Sequence, residues 1–107
     1  MDTILRADPV LRRFRAALGE IYGERLERVV LFGSRARGEA LPDSDYDLAV
    51  FLSALPDRWA ELDRLADLRV RFLDETGAFF DAKPYLATTY RDATPLMHEI
   101  RREGREL

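Results

Sequence analysis

Val29-Val30-Leu31-Phe32-Gly33-Ser34-Arg35-Ala36-Arg37-Gly38, followed shortly by Asp43-Ser44-Asp45-Tyr46-Asp47-Leu48-Ala49-Val50-Phe51-Leu52, is the stretch on which the reading of this chain turns. Val29 to Phe32 is β-branched and aromatic, which predicts a short buried strand that stops at Gly33. Leu48 to Leu52 predicts a second strand. The polar cluster is therefore a connection between two strands, and polar groups held between rigid elements make a candidate site.

Asp45 and Asp47 stand two residues apart. Side chains alternate across a pleat, so both carboxylates project from one face with backbones about 6.6 Å apart, while Tyr46 and Leu48 point into the core. Poorly solvated carboxylates at that spacing repel by several kcal/mol, and the arrangement calls for a compensating cation. An all-oxygen donor set favours magnesium, manganese or calcium over zinc. Two motifs of similar spacing fail on chemistry. Asp43-x-Asp45-x-Asp47 opens like a calcium-binding EF-hand loop, but Leu48 occupies the position of the turning glycine and Ala54 that of the closing glutamate. Gly33 and Gly38 have Walker A glycine spacing, but Glu39-Ala40 follow where lysine and a hydroxyl residue are required.

The surviving pattern is a strand, Gly-Ser, a basic turn, and Asp-x-Asp on the next strand. In Phe32-Gly33-Ser34 and Asp45-Tyr46-Asp47-Leu48, with Ala36-Arg37-Gly38 and Ser44 between, it resembles the minimal nucleotidyltransferases of the polymerase-β-like superfamily. The likeness is to the prokaryotic subgroup that serves as antitoxin in HEPN/MNT toxin–antitoxin pairs. Phe80-Asp81-Ala82 resembles the superfamily's third motif, hydrophobic-Asp-hydrophobic, and makes Asp81 a candidate third carboxylate. If its strand pairs beside the one carrying Asp45 and Asp47, about 4.8 Å away, the three carboxylates can surround two metal ions about 4 Å apart.

Composition sets the frame. The chain has 107 residues, no cysteine, 47% hydrophobic residues and a formal net charge of −3. This size and apolar content predict a single domain over residues 1–107 with an adequate core. Absence of cysteine excludes disulfides, thiolate zinc sites and cysteine nucleophiles. No apolar run approaches the ~20 residues of a membrane span and no secretory pattern opens the chain, so the expectation is a cytoplasmic protein without a membrane partner. The acidic balance argues against stable nucleic-acid binding.

Asp8-Pro9 predicts a helix start, with Val10, Leu11, Phe14, Ala17, Leu18 and Ile21 on its apolar side and Gly23 at its end. Pro56-Asp57 opens the longest helix, whose apolar face is read as Trp59, Leu62, Leu65, Ala66, Leu68, Phe72 and Leu73, ending near Gly77. Trp59 is read there as a core or interface aromatic. Phe79 to Thr88 is extended, with Pro84 marking an edge position or a bulge. Asp92 to Pro95 caps a last helix containing Leu96, Met97 and Ile100. His98 lacks companions for a zinc site. The expected fold is α/β (α+β), a short mixed sheet flanked by helices, in the order helix, strand, motif helix, strand, long helix, strand, helix.

Gly33 and Ser34 follow the first strand, where glycine admits a phosphate to the backbone and free amides at a helix start can hold it; Ser34 could also cap that helix. Arg35 and Arg37 could grip phosphate with guanidinium forks. Arg37 fits the family's Arg-Gly step, whereas Arg35 is read as variable and solvated. Lys83 shares a face with Asp81.

The resemblance implies an enzyme that transfers AMP from ATP to a hydroxyl acceptor, with Asp45, Asp47 and Asp81 catalytic and holding two Mg2+ ions (Mn2+ is an alternative) and Gly33, Ser34 and Arg37 binding the nucleotide. It also implies the acceptor, a tyrosine on a HEPN-domain ribonuclease toxin, so that the protein acts as an antitoxin. Two other readings stand beside it: a non-catalytic antitoxin that covers the toxin, and a nucleotidyltransferase acting on a small molecule.

Overall fold

The computed structural model describes residues 3–107. A short helix α1 (Thr3–Ala7) leads to α2 (Pro9–Tyr22), where the Asp8 carboxylate accepts from the Leu11 amide at 3.0 Å and caps the first turn. A 3-10 turn (Gly23–Arg25) delivers the chain to β1 (Leu26–Phe32), the four-residue α3 (Ser34–Arg37) and β2 (Tyr46–Leu52). The long helix α4 (Arg58–Thr76) is capped by Asp57 and closed by Gly77. Then come β3 (Phe80–Leu86), a second 3-10 turn (Ala87–Arg91), α5 (Pro95–Glu103) and β4 (Arg105–Glu106). Relative to the sequence reading, α1 and β4 are additions.

The sheet order is β3-β2-β1-β4, with β2 and β3 parallel and the other neighbours antiparallel. One face carries Val29, Leu31, Leu48, Val50, Leu52, Phe80 and Ala82 against Leu11, Phe14 and Leu18 of α2 and Leu65, Leu68 and Phe72 of α4. The other packs Val30, Ala49 and Phe51 against Met97 and Ile100 of α5. Helices thus cover both sides, which is why β2 is buried along almost its whole length and reads as a continuous apolar run.

β3 lies at an edge, as its proline requires. The Phe80 and Pro84 carbonyls point away from β2 and accept from Arg69 and Arg58 of α4, the latter at 2.7 Å. The nitrogen of a strand residue points to the same side as its carbonyl, so the N–H that Pro84 lacks faces the open edge and no ladder bond is lost. The two arginines also occupy carbonyls that would otherwise invite another strand.

The predicted apolar face of α4 is too broad. Leu65, Leu68 and Phe72 are buried, Leu62 and Leu73 are half-buried, and Ala66 is exposed. Trp59 is 78% exposed, so it is not a core residue; it lies about half a turn around the helix from Leu68 and Phe72. Buried Glu61 takes a core-facing position instead, paired with Arg25 at 3.2 Å and Arg64 at 3.8 Å.

β4 depends on one glycine. A Cβ on Gly104 would lie 2.3 Å from the Ile100 carbonyl oxygen and 2.4 Å from a Val30 methyl, so only glycine lets the chain fold tightly off α5. Arg105 and Glu106 then pair with Leu31 and Val30, and the Leu107 amide donates to the Val29 carbonyl at 2.9 Å.

Candidate active site

In the parallel ladder of β2 and β3, Asp47 is the register partner of Asp81. An aromatic column on the opposite face fixes that register. Phe80 stacks between Phe14 at 3.9 Å and Tyr46 at 4.5 Å, with Phe72 edge-on to both Phe14 and Phe80. Because Tyr46 and Phe80 are themselves register partners and each precedes an aspartate, locking the rings together aligns the two carboxylates on the other side of the sheet.

The loop before β2 is held from the same column. Arg35 lies over the Tyr46 ring at 4.0 Å and donates to the carbonyls of Ser44 at 2.9 Å and Pro42 at 3.2 Å. It is therefore a strut between α3 and the loop rather than the solvated side chain read from the sequence. The Tyr46 hydroxyl donates to Asp8 Oδ2 at 2.5 Å, and burial, then Asp8, pushes its pKa up to about 12. Tyr46→Phe should leave the fold intact and lower the unfolding free energy by about 1 kcal/mol in urea denaturation. Unchanged stability would show that this bond does not tie α2 to the motif.

Gly33 occupies φ 75°, ψ −158°, and a Cβ there would stand 2.3 Å from Asp47 Oδ2. The motif glycine thus admits the Asp47 carboxylate itself against the backbone. Gly33 also takes the N-cap position of α3, so Ser34 is the first helical residue and does not cap it. Arg37 turns toward α5, within 2.8 Å of Glu39, 3.4 Å of Glu103 and 3.7 Å of Glu99. Lys83 Nζ lies 3.8 Å from Asp81 Oδ2.

Electrostatics mark Asp47 as the focus. Burial, then the carboxylates of Asp81 and Asp45, push its pKa up, and Glu99 adds to this while Lys83 opposes it. Sequence reasoning missed Glu99; its position on α5 is set by the packing of Met97 and Ile100, and nothing in the local pattern marks it. Asp45 is exposed, on the approach to β2. Among the described residues no three acidic, imidazole or thiol side chains converge closely enough to cage a metal ion. The donor set nevertheless suits a hard divalent cation: a pair of acceptor-only carboxylates faces across the ladder, with Asp45 and Glu99 adding negative charge and Lys83 as the adjacent counter-charge.

A family model described as a nucleotidyltransferase domain matches residues 11–100. A proposed protein adenylyltransferase of Methanocaldococcus jannaschii is 34% identical over 47 residues, 44% of this chain and 48% of that protein, so the match spans about half the relative's length. Among solved structures, a toxin–antitoxin complex with AMP-PNP aligns with TM-score 0.60 and 21% identity, covering 88% of this chain and 69% of the matched one. The tri-AMPylated Shewanella oneidensis HEPN toxin in complex with MNT antitoxin aligns with TM-score 0.55 and 16% identity, covering 91% and 70%. These structural matches show a shared fold. No helix among the described residues is long and apolar enough to cross a membrane.

Proposed function

Because the chain belongs to the nucleotidyltransferase domain family, we propose that residues 1–107 form one transferase domain that moves AMP from ATP to a hydroxyl group of a partner protein, a tyrosine of a HEPN-domain toxin. The observation that carries this reading is the register pairing of Asp47 with Asp81, with the Gly33 backbone closed against Asp47. The adenylyltransferase relative and the toxin–antitoxin structures support the acceptor class.

Asp45, Asp47 and Asp81 would hold two magnesium ions, with manganese as the alternative; when bound, these supply the positive charge that neutralises the triphosphate and the departing pyrophosphate. Gly33, Ser34 and Arg37 position the phosphates, Arg37 exchanging a glutamate for a phosphate oxygen. The acceptor oxygen bonds to the α-phosphorus, the bond from that phosphorus to the bridging oxygen breaks, and pyrophosphate leaves with the bonding pair. Asp81 accepts the hydroxyl proton.

The test follows the intact mass of the purified HEPN partner after incubation with this protein, magnesium and each nucleoside triphosphate. ATP should add one or more adenylyl units. No mass gain with any nucleotide, together with toxin neutralisation that survives Asp45→Asn/Asp47→Asn, would establish the non-catalytic antitoxin instead. Asp81→Asn should keep the fold and most Mg-ATP affinity while transfer falls about 100-fold or more, because the lost group acts on the acceptor side. Full transfer in that variant would remove Asp81 from the mechanism.

A further inference from the structure

α4 presents to solvent a feature the transfer chemistry does not use. At 100° per residue, Trp59, Ala66, Val70 and Leu73 form one stripe on the side away from Leu65, Leu68 and Phe72. Trp59 is 78% and Val70 59% exposed. Beside the stripe a groove of about 270 Å³ runs between α4 and the start of β3, lined by Ala66, Arg69, Val70, Leu73, Phe79 and Phe80. Phe79 is 55% exposed and also lines the neighbouring hollow of about 470 Å³ that holds Asp45 and Arg35. Phe79 lines both, so groove and hollow adjoin at the start of β3, where its carbonyl accepts from the Tyr46 amide at 2.8 Å, and Asp45 is the one of the three candidate carboxylates that lines the hollow.

Charge identifies the occupant. On the flank of the stripe stand Asp63, Asp67 and Asp74, which make no hydrogen bond or ion pair among the described residues. The arginines of the same helix are engaged: Arg58 and Arg69 on β3 carbonyls, Arg64 on Glu61 and Arg71 on Glu75. The outer side of α4 is therefore an apolar stripe bordered by three carboxylates without a direct partner among the described residues, Arg64 and Arg71 reaching Glu61 and Glu75 instead at 3.8 Å. A second copy docked about a two-fold axis would bring like carboxylates together around Asp67, which disfavours self-association. We infer that this face docks an amphipathic helix of the acceptor protein, apolar along its contact ridge and lysine- or arginine-rich along one flank, so that the chain next to it reaches Asp45 through the hollow at Phe79. The inference rests on the proposed transfer to a protein and deepens it by placing the acceptor's docking surface.

The test titrates the full chain with the purified HEPN partner by calorimetry, alongside Val70→Asp and the triple variant Asp63→Lys/Asp67→Lys/Asp74→Lys. All three positions are exposed in the triple variant, as is Val70, so thermal melting and Mg-ATP affinity should match the parent. Each variant should weaken partner binding by about 10-fold or more and raise the KM for the partner with kcat unchanged. Unaltered binding in both would overturn the surface alone. Weakening by Val70→Asp without any effect of the charge reversal would overturn the basic helix as occupant. A parent dimer in sedimentation that Val70→Asp dissociates would give the face to a second copy and overturn the inference. If the parent binds Mg-ATP but not the partner, the protein acceptor is refuted and the docking surface with it.

Discussion

Asp47→Asn is expected to abolish adenylyl transfer and, in the same protein, to stabilise the metal-free fold at neutral pH. On the proposed reaction the loss of transfer should reach at least about 10²-fold, since the substitution removes charge from the point where the triphosphate would be neutralised. The stability gain follows from the raised pKa of Asp47, caused by burial and then by Asp81 and Asp45. A carboxyl group raised in the folded state penalises folding only where it is ionised. The penalty is absent below the ordinary carboxylate pKa of about 3.9 and is complete once pH exceeds the folded value. Metal-free parent protein should therefore lose melting temperature as pH rises through that window, and the asparagine variant should lose less. Magnesium should narrow the difference by binding the parent preferentially. Thermal melts between about pH 4 and pH 7 with chelator and with magnesium check this. Parallel pH profiles for parent and variant would show that the acidic pair stores no repulsion.

Gly33→Ala is expected to damage both stability and activity, for a reason that separates it from any other glycine of the motif. Its φ 75°, ψ −158° is open essentially to glycine alone, and holding another residue there costs about 1–3 kcal/mol. In addition the new methyl would stand 2.3 Å from Asp47 Oδ2 and 3.2 Å from its Cγ, so the carboxylate must swing off its alignment with Asp81. Transfer should fall with stability. Gly38→Ala is the control: φ is again 75°, but ψ is 20° and nothing lies within 4 Å of the added Cβ. That variant should lose about 1–2 kcal/mol from the left-handed backbone and retain transfer per folded molecule. Equal loss of specific activity in the two variants would show that backbone strain, and not displacement of Asp47, explains the first.

The sequence alone was sufficient for the family and for most of the architecture. Gly33-Ser34 and Asp45-x-Asp47 lie between two apolar runs, and that juxtaposition is local in the chain. Helix limits were equally legible at Asp8-Pro9, Asp57 and Gly77, and the stretch Asp92 to Pro95 bracketed the cap that Thr94 makes, because caps are satisfied by residues within one turn. Pro84 announced an edge position or a bulge because a missing N–H is a property of the residue itself, and the structure decides for the edge. What the sequence could not decide was which groups meet across distance. The pairing of Asp47 with Asp81 rests on the register of β2 and β3, set by the stack of Phe14, Phe80 and Tyr46 drawn from three separate elements. Arg35 looked solvated because its partner, the Tyr46 ring, is brought to it only by folding, and Arg37 meets Glu99 and Glu103 only because α5 packs beside α3. Trp59 followed the helical period and still faces solvent, since the phase of α4 is fixed by where the sheet lies and not by the period. β4 was invisible for the same reason: two residues have no periodicity, and their strand exists because β1 offers a free edge within reach of Gly104.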